Sequence, residues 1–137
     1  MTAIKRLIFS SLCISILPAS AMAAQFTCSI ENVLRLTENG SFGTHGRAAL
    51  YQNRKFFLDA NTGKVTRTTA LHARLRNFDA DTSPVVMHNN GFKAITLFRD
   101  SGQYALIQID ENKGGDLRPF FYYTAIDMML TGTCTEG

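Results

Sequence analysis

Cys28 and Cys134 stand roughly 100 residues apart, one near each end of the chain that remains when its opening segment is set aside. That opening segment reads as an export signal. Lys5 and Arg6 supply the positive start, Leu7 to Leu17 an apolar run, and Ala21-Met22-Ala23 an A-x-A cleavage site. Residues 1–23 are therefore expected to be removed as a signal peptide, leaving residues 24–137 as one β-rich domain, periplasmic or secreted. The apolar run stops at Pro18, short of the ~20 residues that cross a bilayer. Ala24, not a cysteine, follows the cut, so neither an uncleaved anchor nor a lipid anchor is expected. Cys13 leaves with the signal, and the two remaining cysteines are expected to pair in an oxidising compartment. Closing a loop of about 100 residues stabilises a fold by roughly 4 to 5 kcal/mol in the chain-entropy model. Such a bond obliges the first and last segments to meet. Two separately buried thiols are the alternative.

A mature chain of about 114 residues buries about two thirds of the surface its unfolded form exposes, enough for one core. Losing Lys5 and Arg6 leaves 12 of the 14 basic residues against 11 acidic ones, with no block of like charge. That balance removes the electrostatic case for a nucleic-acid partner.

Along the mature chain, Phe26, Cys28, Ile30, Asn32, Leu34 and Leu36 alternate with polar neighbours as in a half-buried strand, Val33 falling on the outer side. Glu38 to Arg47, with three glycines, reads as loop, and Ala48 to Gln52 is too short to assign. Lys55 to Ala60 and Lys64 to Thr69 flank Asn61-Thr62-Gly63 as a hairpin. Phe92 to Arg99 and Gln103 to Asp110 form a second, around Asp100-Ser101-Gly102. Its strands are apolar on both faces, which predicts a place in the middle of the sheet. Ala70 to Phe78 fits a strand or a helix, with strand favoured by context; Val85 to Met87 is a brief run, Phe120 to Ala125 an aromatic strand, and Met128 to Cys134 the closing strand. Short strands separated by turns every 8 to 12 residues predict an all-β antiparallel sandwich or barrel with its terminal strands joined by the disulfide.

Candidate chemistry is sparse. H-E-x-x-H, G-x-S-x-G and Gly-rich phosphate loops do not occur, and His45, His72 and His88 have no ligand-like spacing, so neither metal nor cofactor is expected. Asp110, Asn112 and Asp116 begin like a calcium loop, but Gly114 and Phe121 stand where it needs ligands, which leaves a solvated turn. Asp79 and Asp81 fit an Asx-type turn better than a catalytic pair. If Ala70 to Phe78 is a strand, His72, Arg74 and Arg76 share one face and make a basic ladder suited to an anion, or simply a solvated surface. Phe120-Phe121-Tyr122-Tyr123 is the most unusual composition: one pair must face away from the other, so Phe121, Tyr122 and Tyr123 are candidates for a partner surface unless the strand is buried on both sides.

The plan of an exported domain with a cysteine in its first and last strands is similar to that of the periplasmic C-type lysozyme inhibitors. That family carries S-G-x-x-Y, and Ser101-Gly102-Gln103-Tyr104 is one residue shorter. The resemblance implies a small β-barrel that inserts a loop into a cell-wall hydrolase, with Ser101 and Tyr104 at the contact. The residues themselves favour a non-enzymatic binding or interaction module for an unknown protein or small ligand of the cell envelope, with no membrane insertion after signal cleavage. A small secreted hydrolase with a dispersed active site is the third reading.

Overall fold

A computed structural model describes residues 24–67, 84–98, 101–111, 114–124 and 127–137. In it the alternating N-terminal segment is the strand β1 (Gln25–Leu36). Then come β2 (Phe42–Thr44), the single turn α1 (Ala48–Tyr51), β3 (Lys55–Asp59), β4 (Val65–Arg67) and β5 (Val85–Met87). β6 (Phe92–Phe98), β7 (Gln103–Ile109), β8 (Arg118–Tyr123) and β9 (Met129–Glu136) complete the sheet. The ambiguous Ala70 to Phe78 segment, with His72, Arg74 and Arg76, lies outside the described residues.

The strands form one antiparallel sheet in the order β4-β3-β1-β9-β8-β7-β6-β5, with β2 added to the far end of β1. The expected sandwich or barrel is thus a single sheet curled into a half-barrel. The curl is visible in its side chains. β1 and β6 stand four places apart in the order, about 19 Å in a flat sheet, yet the Phe26 and Phe92 rings lie 5.5 Å apart. Phe56 of β3 likewise meets Phe120 of β8 edge-on at 5.3 Å. The two outer edges approach each other at Gly63, in the β3–β4 turn. A methyl group there would stand 2.9 Å from Ala94 and Val86 and 3.0 Å from Pro84, and φ is +69°, so only glycine fits.

Cys28 and Cys134 are direct cross-strand partners on β1 and β9, joined by a disulfide with Cα atoms 4.0 Å apart and both side chains buried. The bond closes the sheet's two terminal strands on the core side, as the cysteine spacing predicts.

Three expectations are corrected. Beyond Ile30 the faces of β1 are reversed: Val33 is buried, while Asn32, Leu34 and Leu36 face outward. Ile30 pairs with Gly132 and Asn32 with Thr131, so Glu31 is an extra residue, a β-bulge that shifts the alternation by one. The loop from Glu38 to Arg47 contains β2, whose three residues extend β1 as a hairpin. The β6–β7 hairpin lies toward one side of the sheet, with β9 and β8 at the centre of the strand order; on its second apolar face Ile95 and Leu106 are half-buried and Leu97 is exposed.

The β3–β4 turn is held by Asp59, whose carboxylate accepts hydrogen bonds from the backbone N–H groups of Thr62 and Asn61, each at 2.8 Å. The Thr62 bond, more than any other contact, holds the Asp59 pKa below the ordinary carboxylate value of 3.8. A depressed carboxylate pKa stabilises the fold above the unfolded-state value, and that contribution is lost as pH falls through the folded-state value. Unfolding followed in urea between neutral and strongly acid pH is expected to show an acid-dependent loss that is smaller in Asp59→Asn.

Candidate functional site

The aromatic tract divides as alternation requires. Phe120 and Tyr122 point into the core, Tyr122 only 2% exposed, and burial raises its phenol pKa well above 10.0. Phe121 and Tyr123 point outward. The Tyr123 hydroxyl donates to the Asp127 carboxylate at 2.9 Å, and that bond raises the Tyr123 pKa because a phenolate would face a carboxylate. Tyr104, from β7, packs against Tyr123 with ring centroids 5.3 Å apart.

The register places these rings in a longer array. Val85 pairs with Ile95, Ile95 with Leu106, Leu106 with Tyr123, Tyr123 with Met129, and Met129 with Leu34. The outer face thus carries an unbroken apolar row across six strands, about 24 Å at ordinary strand spacing. Leu97 and Tyr104 flank it on one side, paired with each other, and Met87 and Phe121 on the other. Leu97 is 65% exposed, Val85 62% and Tyr104 50%. Met129, toward the β1 end of the row, is 7% exposed though it lies outside the main core cluster. Scattered apolar residues on a surface are ordinary; a contiguous row of this length is not.

Ser101 is exposed at the β6–β7 turn, three residues from Tyr104 and so beside the row. Its hydroxyl accepts from the Gln103 N–H at 3.3 Å. At the other end of the row, the β1–β2 hairpin presents the exposed cross-strand pair Leu36 and Phe42. Its turn is braced internally. Asn39 Oδ1 accepts from Thr37 Oγ1 and from Ser41 Oγ, while the Thr37 N–H donates to the Ser41 carbonyl at 2.8 Å.

A separate cleft of about 420 Å³ opens at one end of the curled sheet, lined by Phe26, Asn61, His88, Phe92, Arg118 and Glu136 among others. Arg118 is paired with Glu136 at 2.7 Å and lies over the Phe26 ring, 5.7 Å from its centroid.

Of the candidate site residues, the structure brings Tyr104, Phe121 and Tyr123 onto one surface with Ser101 at its margin, and it places Tyr122 inside. Val85, Ile95, Leu97, Leu106 and Met87 were not singled out by sequence reasoning. The signal for Ile95, Leu97 and Leu106 is the two-sided apolarity of Phe92 to Asp110, which is equally the mark of a buried strand; for Val85 and Met87 it is only their brief apolar run. His45 is engaged locally, its Nδ1 accepting from the Arg47 N–H at 3.0 Å. Among the described residues no three His, Cys, Asp or Glu side chains converge as metal ligands, and no helix is long and apolar enough to cross a membrane. No family model, curated protein or solved structure matches this chain.

Proposed function

We propose that this protein is an exported, non-enzymatic binding module that docks a protein partner along the outer apolar row of β5 to β9. The observation that carries this reading is the row itself, centred on the Tyr104–Tyr123 pair. Tyrosine and phenylalanine present large, stiff contact area and are favoured at the centres of protein interfaces. Exposed Val85, Leu97, Tyr104 and Phe121, together with their half-buried neighbours, offer several hundred Å² of apolar surface, on the order of one partner's half of a standard interface. Lys93 is the one basic residue in the flanking line from Met87 to Phe121, so a basic fringe for anionic lipid headgroups is missing from that line and a protein partner is favoured. The buried disulfide and the leader-like residues 1–23 support an oxidising, exported setting.

The test is a photo-crosslinking amino acid placed at Leu97 or Phe121, and at the exposed Gln25, at the opposite end of β1 from Leu34, in the producing cell. One discrete heavier adduct from the row positions alone is expected, reduced at least about tenfold by Tyr104→Asp. Equal adducts from Gln25, or none from the row, would refute the docking surface.

Exposure of Ser101 and Tyr104 at the β6–β7 turn supports a second reading, a lysozyme-inhibitor-like protein. It requires stoichiometric inhibition of a C-type lysozyme that is lost in Tyr104→Ala. The docking reading requires that lysozyme activity be unchanged.

A further inference from the structure

We infer that the cleft at the end of the curled sheet is a second binding site, distinct from the outer row, and that it takes a neutral, hydroxyl-rich ligand of one or two sugar residues. The cleft exists because the sheet curls. Asn61 comes from the β3–β4 turn, His88 from the β5–β6 turn, Glu111 from beyond β7, Arg118 from the start of β8 and Glu136 from the end of β9. The close seat of Gly63 on Pro84, Val86 and Ala94 brings the first two of these turns together across the open edges. Mouths of curled and closed sheets are recurrent small-ligand sites, and this volume lies within the range such sites span.

The donor set argues for the ligand class. An amide, two carboxylates, a guanidinium and an imidazole are all planar groups that present two or more polar atoms at fixed spacing. Neighbouring ring hydroxyls each donate and accept, and so match such groups in pairs. Arg118 and Glu136 neutralise each other at 2.7 Å, which disfavours a strongly charged ligand. Beneath the polar groups lie the buried rings of Phe26 and Phe92, 5.5 Å apart, which close the base of the cleft. Part of the wall is held before any ligand arrives. Arg118 lies on Phe26, and His88 meets Phe92 edge-on at 5.6 Å. Side chains fixed in this way lose little freedom on binding.

The test is a ¹H–¹⁵N NMR titration of the mature domain with glucose, N-acetylglucosamine and their β-1,4-linked dimers, with putrescine and glutamate as charged probes. Saturable shifts of the Asn61, His88, Gly91 and Glu111 amides are expected at millimolar sugar, weakened at least fivefold by Glu111→Ala and by Asn61→Ala in variants that keep a native spectrum. Tyr104→Asp leaves the sugar titration unchanged, so the outcome is independent of the outer-row reading. Absence of saturable shifts for all four sugars, shifts confined to other residues, or a stronger response to either charged probe would overturn the proposal.

Discussion

Replacing Cys28 and Cys134 together by alanine is expected to lower the unfolding free energy by about 3 to 5 kcal/mol, read as a fall in the urea midpoint at unchanged slope. Two effects contribute. The bond spans 106 positions of the 137-residue chain, so its loss frees the unfolded ensemble from its longest constraint. Both side chains are also fully buried between β1 and β9, so removing their sulfur atoms leaves unfilled volume in the core. Small domains have only about 5 to 15 kcal/mol in total, which places the double variant close to the threshold of folding. Burial has a kinetic corollary. A thiol reductant cannot reach the sulfurs of the folded protein, and reduction is expected to proceed only as denaturant opens the β1–β9 pair. A midpoint within about 1 kcal/mol of the parent would show that the sheet holds its terminal strands together unaided.

That bond was also the most legible part of the fold. A cysteine on the apolar face of the first strand and another on the apolar face of the last left little choice but adjacent terminal strands. Local signals carried the hairpins equally well: Asn61-Thr62-Gly63 and Ser101-Gly102 supply the positive φ their turns use, at Gly63 and Gly102. What was illegible depended on partners distant in sequence. Nothing in Glu38 to Arg47 announces β2, because three residues become a strand only when β1 projects far enough to pair with them. Nor does alternation in β1 reveal the bulge, since both Asn32 and Val33 are acceptable on either face until Gly132 is placed opposite Ile30.

The candidate surface was half legible for a similar reason. Composition singled out the four consecutive aromatics, and period-2 geometry required one pair to face outward. Which pair did so was set by β9 and β7, whose inward residues Leu130 and Ile107 are the partners of Tyr122. The apolar row could not be read at all, because it runs across strands: Val85, Ile95, Leu106 and Tyr123 are neighbours only through register. The cleft is a purely tertiary product of curl, with no two of its polar residues adjacent in sequence.

Gly132→Ala is expected to destabilise the domain by about 3 kcal/mol or more, a large effect for the addition of one methyl group. A Cβ at Gly132 would fall on the Ser29 carbonyl oxygen, well inside van der Waals contact, and 3.0 Å from the Glu31 nitrogen. Both are backbone atoms of β1, at the bulge and directly before it, so neither can yield without breaking the β1–β9 ladder that holds the disulfide. The neighbouring Thr131→Ala, on the outer face, is expected to cost under about 1 kcal/mol. If the bulge causes the clash, removing the bulge must relieve it. Deleting Glu31 turns Ile30-Asn32-Val33 into a regular alternation that still sends Asn32 out and Val33 in. The deleted chain is therefore expected to fold, and Gly132→Ala within it to cost less than about half as much as in the parent. Such non-additivity is what coupled sites in direct contact show. Equal costs in the two backgrounds would place the penalty elsewhere, on the Phe120 ring 3.0 Å away, and the bulge would not be the reason glycine stands at position 132.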